Sequence, residues 1–449
     1  MRLVWNRSGY DRGFISNPFA GDDAARLGLI RTEKTLALLG NPERDYPIIH
    51  VAGSKGKGST CSFIDSILRA AGAMTGRFLS PHLHSYRERF VVDDNPIDEE
   101  SFTELAADVY SAALEVESAN PEIGQLTAWE LSTAMALLWF SRSRCHAGVI
   151  EVGLGGALDA TNVVTPAVSV ITRLDFEHTS ILGDTMGEIA TNKAGIIKPG
   201  RPVVCAEQPI DGLLVIERRA KELESPLLFA NRDWTITGTD ESFAVSGPTW
   251  RYTGLRSSLA GHHQVDNAAL AIAAVHVLID TPEVALPVTE AIVRHGLATT
   301  FAPGRFEVFT DDAGCRFVLD GAHTPESMRA LAGALLARFP ADQLTVVAGM
   351  LSDKNPEIVL SPLVDLTDRW IVCPANSPRS LSAESMQLSL SRLDVAAESS
   401  ATVAAGIHAA ATHPSTPSSA RVVVVTGSFT IVAEARVALG LALSGRQDA

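Results

Sequence analysis

A glycine-rich segment with two lysines is the clearest candidate for chemistry in this sequence. Residues 53–60 read GSKGKGST and follow an apolar run. Main-chain N–H groups in such a loop, together with the N-terminus of a following helix, can surround phosphate oxygens, and Lys57 would reach a terminal phosphate. The segment departs from the usual G-x-x-x-x-G-K-[ST] spacing, because Gly58 separates the lysine from Ser59. The alternative is a glycine-rich turn whose lysines face solvent.

A strand and a helix must hold this loop if it binds phosphate. The run 46–53 predicts a buried strand, and residues 61–71 carry apolar side chains at helical spacing before Gly72, which favours a helix end. Residues 234–252 alternate and predict a hairpin appended to the same sheet. Further strands are predicted at 147–152, 167–172 and 202–206. Strands that alternate with helices indicate an α/β protein with a mainly parallel sheet.

A second series of strands and helices follows a turn-rich passage at residues 298–304. We therefore expect two domains, residues 1–298 and residues 299–449. Thr324 is expected to cap a helix whose first residue is Pro325. Strands of the second domain are predicted at 317–319, 345–348, 370–373 and 422–426. The second domain is expected to be a smaller, Rossmann-like α/β unit.

Composition excludes several classes of protein. Hydrophobic residues make up 46% of the chain and charged residues 20%, which is typical of a compact globular protein. The formal net charge of −15 gives no general attraction to nucleic acid or to anionic membranes. No apolar run approaches the roughly 18 residues of a membrane span, and we expect a cytoplasmic protein. Five scattered cysteines without a C-x-x-C pair indicate neither disulfides nor structural zinc.

The series of motifs along the chain resembles the folylpolyglutamate synthase and dihydrofolate synthase family of the Mur ligase superfamily, which has a variant phosphate loop, G-T-x-G-K-G-[ST]. The motifs stand in the family's order: SPHL at 80–83, LTAWE at 126–130, EVGLGG at 151–156, LDATN at 158–162, EH at 177–178, KAGI at 193–196, PGR at 303–305, DGAH at 320–323, GML at 349–351 and GSF at 427–429. The resemblance implies an N-terminal P-loop ATPase-type parallel-sheet domain followed by the smaller Rossmann-like domain. It also implies an ATP-dependent ligase that adds L-glutamate to tetrahydrofolate through an acyl phosphate.

The resemblance assigns the nucleotide and metal contacts. ATP would be bound by Gly56, Lys57, Gly58, Ser59, Asn267, Arg305 and Asp320. Mg²⁺, at two sites, would be held by Ser80, Glu151 and His178, of which the first two are hard oxygen donors suited to that ion. Each ligand also has an ordinary alternative: a turn cap for the serine, a salt-bridged acid at a strand end for the glutamate, and a loop histidine.

The resemblance also assigns the substrate contacts. The folate or pteroate side would be lined by Thr127, Trp129, Glu130, Leu158, Asp159 and Ala160, and the incoming glutamate would be seated by His323 and Ser428. Trp129 can stack on a flat heterocycle, although a plain core position explains it almost as well.

Lys193 falls on the lysine that becomes N-carboxylated in the family and is expected to act with Lys57 and His178 in catalysis. A carbamate requires a neutral amine, so this lysine should be desolvated. The alternative is a surface helix lysine that pairs with Glu188 or a neighbouring acid.

Five positions depart from the family pattern: Arg26, Lys55, Ala157, Asn192 and Thr324. Arg26 stands where bifunctional members have an aspartate beside the pteroate pocket, so folate elongation is expected to exceed ligation of dihydropteroate. A paralogue acting on another carboxylate and an inactive nucleotide-binding protein remain alternatives, although the presence of Lys57, Glu151, His178 and Lys193 argues against inactivity. A monomer is expected.

Overall fold

The computed structural model of the protein describes residue 7 and residues 22–281, 284–340, 343–412 and 421–441. The described residues divide into two compact units. The first contains those up to His82, with Tyr86–Ser257 and Val265–Thr300, and the second contains Leu83–Ser85, Ser258–Gln264 and those from Phe301 onward. The chain thus passes to the second unit after Thr300, and two short earlier segments also belong to that unit.

The first unit is built on an eight-stranded sheet. Its strands are β1 Ile48–Ala52, β2 Thr75–Phe78, β3 Phe90–Val92, β4 Asn95–Pro96, β5 Ala147–Glu151, β6 Val168–Ile171, β7 Val203–Cys205 and β8 Leu227–Phe229. The strand order is β4-β3-β2-β5-β1-β6-β7-β8, and only the pairs made by β3 are antiparallel. The mainly parallel sheet predicted from the sequence is therefore confirmed.

The helices that lie wholly or mostly in the first unit, in chain order, are α1 Asp22–Leu38, α2 Lys57–Ala70, α3 Glu99–Ala119, α4 Ala128–Arg142, α5 Thr179–Leu182, α6 Met186–Ala194, α7 Ile210–Glu222, α8 His262–Ile279 and α9 Glu290–Thr299. All five residues of β1 and of β5 are buried, as expected for parallel strands that are covered on both faces. α2 ends where predicted, and Gly72 beyond it adopts φ +88°.

The hairpin predicted for residues 234–252 forms a sheet of its own instead of extending the large one. β9 Thr235–Thr239, β10 Ser242–Ser246 and β11 Arg251–Leu255 pair antiparallel in the order β11-β10-β9. Phe243 and Val245 of β10 are buried while their neighbours are partly or fully exposed. A strand such as β10, with one apolar face, suits an antiparallel sheet that is solvated on one side. It does not suit the large parallel sheet, which is covered on both faces.

The second unit is a six-stranded sheet with helices. Its strands are β12 Glu307–Thr310, β13 Arg316–Leu319, β14 Gln343–Ala348, β15 Arg369–Val372, β16 Ala397–Ser399 and β17 Arg421–Thr426, and its helices are α10 Pro325–Arg338, α11 Pro356–Leu360, α12 Ala383–Ser391, α13 Val403–Thr412 and α14 Phe429–Ala438. The order is β12-β13-β17-β14-β15-β16, and only β12 runs antiparallel to its neighbour. The smaller Rossmann-like α/β unit is thus confirmed. Among the described residues, no helix is long and apolar enough to cross a membrane.

Candidate active site

The phosphate loop joins the carboxyl end of β1 to the start of α2. Gly53 adopts φ +143°, and a Cβ atom on it would lie 1.9 Å from Thr172 Oγ1. Gly56, at the N-cap of α2, adopts φ +85°, and a Cβ there would lie 2.2 Å from Asn267 Oδ1. The main-chain N–H groups of Ser54 and Lys55 donate to the carbonyl of Arg173. Both glycines are therefore required by backbone conformation and by close packing.

The two loop lysines differ in their partners. Lys57, the first residue of α2, donates from Nζ to the Gly53 carbonyl at 3.1 Å, so its ammonium group folds back over the loop. Lys55 Nζ lies 3.4 Å from Glu177 Oε2. Both ammonium groups therefore lie at the loop that connects β1 and α2, the position at which a nucleotide's phosphates would need positive charge.

Glu177 is a site residue to which sequence reasoning gave no role. Burial would raise the pKa of its carboxyl group, but the charges of Lys57 and Lys55, with smaller contributions from His178 and Lys193, hold that pKa at about 2. Glu177 is thus an anion that neutralises part of a dense cluster of cations. The available signal was its place directly before His178 in the EH motif.

Glu151 ends β5, next to β1 in the sheet, and is almost fully buried. The main-chain N–H of Ser80 donates to Glu151 Oε2 at 2.9 Å, so the two predicted metal ligands lie together. A carboxylate and a hydroxyl at the carboxyl edge of a parallel sheet are suited to Mg²⁺, which usually takes one or two protein carboxylates and completes its shell with waters and phosphate oxygens. The residues present fit that ion.

His178 occupies the loop after β6. It adopts φ +53° immediately before α5, and its Nε2 lies 3.8 Å from Glu177 Oε1. Within the described residues, no three His, Cys, Asp or Glu side chains lie close enough to form a metal site by themselves. A metal here would accordingly depend on hydroxyl groups and on oxygens of the substrates.

Lys193 lies near the C-terminal end of α6 and is only 3% exposed. Burial, together with the nearby charge of Lys57, lowers the pKa of its amine to about 7. The alternative interpretation, a surface lysine paired with Glu188, is wrong. Glu188 instead forms a capping box with Thr185 at the start of α6.

The side chains predicted to line the folate side gather around the start of α4. Trp129 stacks on Phe78 with ring centroids 5.1 Å apart, and its Nε1–H donates to Asp159 Oδ2 at 3.1 Å. Thr127, on the surface, caps α4. Leu158 is half-buried and Ala160 is buried, in the loop that leads to a short 3₁₀ helix, Ala160–Val163.

Glu130, predicted to contact substrate, is buried in an ion pair. Both of its oxygens accept from Arg31 of α1, at 2.7 and 2.8 Å, and Oε2 also accepts from the N–H of Thr127. Arg31 further donates to the carbonyl of Ile123. The structure therefore uses this carboxylate to fasten α1 to the start of α4, a function the sequence did not reveal.

The remaining predicted contacts lie in the second unit. The guanidinium of Arg305 lies 4.5 Å from the ring centroid of Phe429. Asp320 accepts from the N–H groups of Phe306 and Ala322, and burial raises the pKa of its carboxyl group. Ser428 caps α14 and donates to the Gly349 carbonyl.

His323 lies beside the same phenylalanine ring, at a centroid distance of 6.1 Å. Because the Gly321 carbonyl can only accept, the 2.7 Å contact with it places a proton on His323 Nδ1. Four of the predicted residues, Arg305, Asp320, His323 and Ser428, are thus grouped at the ends of β13 and β17.

Known proteins resemble this chain in both sequence and fold. Residues 51–275 match the Mur ligase middle domain, and residues 304–429 match the glutamate ligase domain of Mur ligases. The Bacillus subtilis protein named dihydrofolate synthase/folylpolyglutamate synthase is 37% identical over 334 residues, which cover 73% of this chain and 76% of the relative. The Escherichia coli protein of the same name is 34% identical over 360 residues, 80% of each chain. This chain belongs to the folylpolyglutamate synthase/dihydrofolate synthase family.

Solved structures of the family agree with the architecture. Mycobacterium tuberculosis folylpolyglutamate synthase complexed with ADP and AMPPCP matches with a TM-score of 0.85 and 28% identity, covering 93% of this chain and 96% of that chain. Escherichia coli FolC in complex with DHPP and ADP matches with a TM-score of 0.81 and 32% identity, covering 92% and 93%. The predicted fold class is confirmed.

Three of the residues that depart from the family pattern, Thr324, Asn192 and Arg26, lie in helices or at a helix start. Thr324 caps α10 through a reciprocal pair with Ser327, which is the kind of cap an asparagine also provides. Asn192 donates to the carbonyls of Leu182 and Glu188. Arg26 is exposed on α1.

Ala157 lies in the loop of residues 154–163 and contacts the end of α6, the helix that carries Lys193. Its N–H donates to the Asn192 carbonyl at 2.8 Å, and a Cβ on Gly195 would lie 2.3 Å from its own Cβ. Asn162 reinforces the contact by donating to the carbonyls of Ala157 and Gly195. The loop of residues 154–163 therefore touches both the tryptophan and the end of α6.

Proposed function

We propose that this protein is an ATP-dependent ligase that joins the amino group of L-glutamate to the γ-carboxylate of a tetrahydrofolate. The observation that carries the proposal is the phosphate loop with Lys57, which lies in the first unit with Glu177, Lys193 and the strand-end carboxylate of Glu151. The chain is also similar over most of its length to folylpolyglutamate synthases. The solved relatives complexed with ADP support ATP as the nucleotide.

The chemistry requires activation of the carboxylate. A carboxylate oxygen of the folate attacks the γ-phosphorus of ATP, ADP leaves, and an acyl phosphate forms. The amine of glutamate then attacks the acyl carbon, loses a proton, and expels inorganic phosphate. Such phosphoryl transfer depends on alignment and on stabilisation of negative charge more than on covalent help from the protein.

The residues of the first unit supply that stabilisation. The N–H groups around Gly56, Gly58 and Ser59 would hold phosphate oxygens, and Lys57 would leave the Gly53 carbonyl to follow the transferred phosphoryl group. Glu151, Ser80 and Ser59 would hold Mg²⁺, with His178 at a second ion, and Mg²⁺ when bound would neutralise phosphate charge.

Lys193 would act as a carbamate. Its buried amine, with a pKa of about 7, is neutral in a large fraction of molecules at neutral pH and could attack CO₂. The carbamate oxygens would then convert a cationic position into an anionic one beside Lys57 and Glu177. Asn267, Arg305 and Asp320 would contact the nucleotide, while His323 and Ser428 would seat the glutamate.

The test is ADP release with glutamate and a panel of acceptors, with products identified by mass spectrometry. A tetrahydrofolate that gains one glutamate per ADP supports the proposal. Turnover only with a carboxylate that is not a folate would establish the paralogue instead, and no ADP with any pair would establish an inactive nucleotide-binding protein. We also propose a monomer located in the cytoplasm, which light scattering and cell fractionation would check.

A further inference from the structure

A buried histidine, His50, lies in the middle of β1 and is 0% exposed. Its Nε2 is 2.9 Å from Thr161 Oγ1, whereas its Nδ1 is buried and has no hydrogen-bond partner among the described residues. Burial, with a smaller effect of Lys198, lowers the pKa of the ring to about 3, so the imidazole is neutral. The role proposed above for the phosphate loop does not use this residue.

The direction of each hydrogen bond follows from Asp159. Its Oδ1 lies 2.5 Å from Thr161 Oγ1 and also accepts from the Thr161 N–H. The single hydroxyl proton of Thr161 therefore points at the carboxylate, and Thr161 Oγ1 can only accept from His50. His50 thus carries its proton on Nε2, and the unpartnered Nδ1 is the ring atom without a proton, which is the less costly one to bury unpaired.

Asp159 has its acceptor capacity filled from within the protein. Besides the two donors from Thr161, its Oδ2 accepts from the Leu154 N–H at 2.9 Å and from Trp129 Nε1 at 3.1 Å. A carboxylate has about four acceptor sites, so these four donors occupy them. Asp159 therefore fixes the position of the indole N–H, and the substrate contact expected at this residue from the sequence stays a prediction.

Trp129 is held on several sides. Phe78 stacks on its ring, Asp159 fixes its Nε1 edge, and a Cβ on Gly153 would lie 2.5 Å from its Cζ2. An unbroken sequence of hydrogen bonds therefore runs to the Trp129 ring from His50 in β1, the strand that precedes the phosphate loop.

We propose that His50 is a positioning residue of the acceptor site, which fixes the Trp129 ring through Thr161 and Asp159 so that a flat heterocycle of the folate class can bind against it. The role in binding rests on the proposed function, because it takes the acceptor to be a pterin-containing carboxylate. The role of His50 in orienting Trp129 does not depend on the proposed function. Loss of the Thr161 hydroxyl leaves the buried Nε2–H of His50 unpaired, and loss of the His50 donor removes the hydrogen bond that holds the Thr161 hydroxyl from the side opposite Asp159.

Two matched pairs of variants test this role. His50→Gln keeps an N–H near Nε2 and His50→Met does not, while Thr161→Ser keeps the hydroxyl and Thr161→Val does not. We expect His50→Met and Thr161→Val to raise the KM for the folate about fivefold or more, with the KM for ATP changed by less than about twofold. His50→Gln and Thr161→Ser should stay close to the parent enzyme.

A second readout needs no turnover. The indole N–H resonance of Trp129, one of six tryptophans, can be assigned by its loss in Trp129→Phe. It should shift in His50→Met and Thr161→Val and remain in place in the two conservative variants. An unmoved resonance, or an equal rise in both KM values, would overturn the proposal by reducing His50 to a core residue.

The two proposals fail in distinguishable ways. If the parent enzyme turns over no folate, the proposed function is wrong, and the resonance shifts still decide whether His50 orients Trp129. If His50→Met does not fold, the Thr161 pair decides alone, because valine is isosteric with threonine.

Discussion

The main-chain N–H of Ser80 donates to Glu151 Oε2 at 2.9 Å, which brings a loop residue and a strand-end carboxylate into one site. We predict that Glu151→Gln lowers kcat by about 10²-fold or more, because the amide keeps the shape but loses the charge needed at a metal and phosphate site. A titration of activity against Mg²⁺ should show that the variant needs more of the ion. Glu326→Gln, at a partly exposed glutamate of α10, is the control and should behave as the parent.

Lys57→Ala should abolish turnover without loss of folding, since the side chain is only half-buried and its ammonium group donates to the loop carbonyls of Gly53 and Ser54. Steady-state ADP release and a thermal unfolding curve check both statements. Lys55→Asn, which replaces the other loop lysine with a neutral polar residue, is the matched control. It removes a partly exposed ion pair with Glu177 and should change kcat by less than about fivefold. Near-normal turnover in Lys57→Ala would refute the phosphate-loop assignment.

The activity of the enzyme should depend on bicarbonate and fall as pH decreases through about 7, the pKa of Lys193. Only the neutral amine reacts with CO₂, and the pKa is lowered from that of a free lysine, so the reactive form is present above that pH and lost below it. After removal of CO₂, recovery at a fixed concentration of dissolved CO₂, with bicarbonate adjusted at each pH, should be about tenfold slower at pH 6 than at pH 8. Lys193→Arg keeps a cation that cannot form this carbamate, and any bicarbonate effect in it would contradict the assignment.

The buried pair of Arg31 and Glu130 predicts a large effect on stability. Arg31→Met leaves the Glu130 carboxylate buried without its bidentate partner, and we expect a loss of about 3–5 kcal/mol in the free energy of unfolding. Urea denaturation measures it. Arg44→Met, which removes an arginine 76% exposed and paired with Glu43, should cost less than about 1 kcal/mol. Equal losses in the two variants would mean that the buried pair does not hold α1 in place.

Arg26 predicts the choice of acceptor. If position 26 lies beside the acceptor pocket, as the resemblance implies, the exposed cation there should make the parent protein elongate tetrahydrofolate better than it ligates glutamate to dihydropteroate. Arg26→Asp should raise the relative kcat/KM for dihydropteroate, and Arg26→Ala separates the loss of positive charge from the gain of negative charge. Efficient use of dihydropteroate by the parent protein would show that this position does not decide the acceptor.

Local rules in the sequence were sufficient for much of the architecture. The apolar run before the loop, the glycines that allow positive φ, and Thr324 before Pro325 each act over a few residues, so strand, turn and helix start appear where predicted. The family motifs then indicated which loops carry the site. The three-stranded sheet was misplaced, because alternation identifies a strand with one apolar face but not the sheet that it joins.

The tertiary structure alone decided how the charged and polar side chains act. The local sequence around each residue does not show that Lys193 lies near Lys57, that Glu177 faces several cations, or that Glu130 is paired with Arg31. These properties depend on desolvation and on distances of a few ångströms between strands and loops far apart in the chain. The sequence by itself thus determined the elements and the kind of chemistry, and the packing of β1, β5 and β6 side by side determined which side chains have the charge and orientation to perform it.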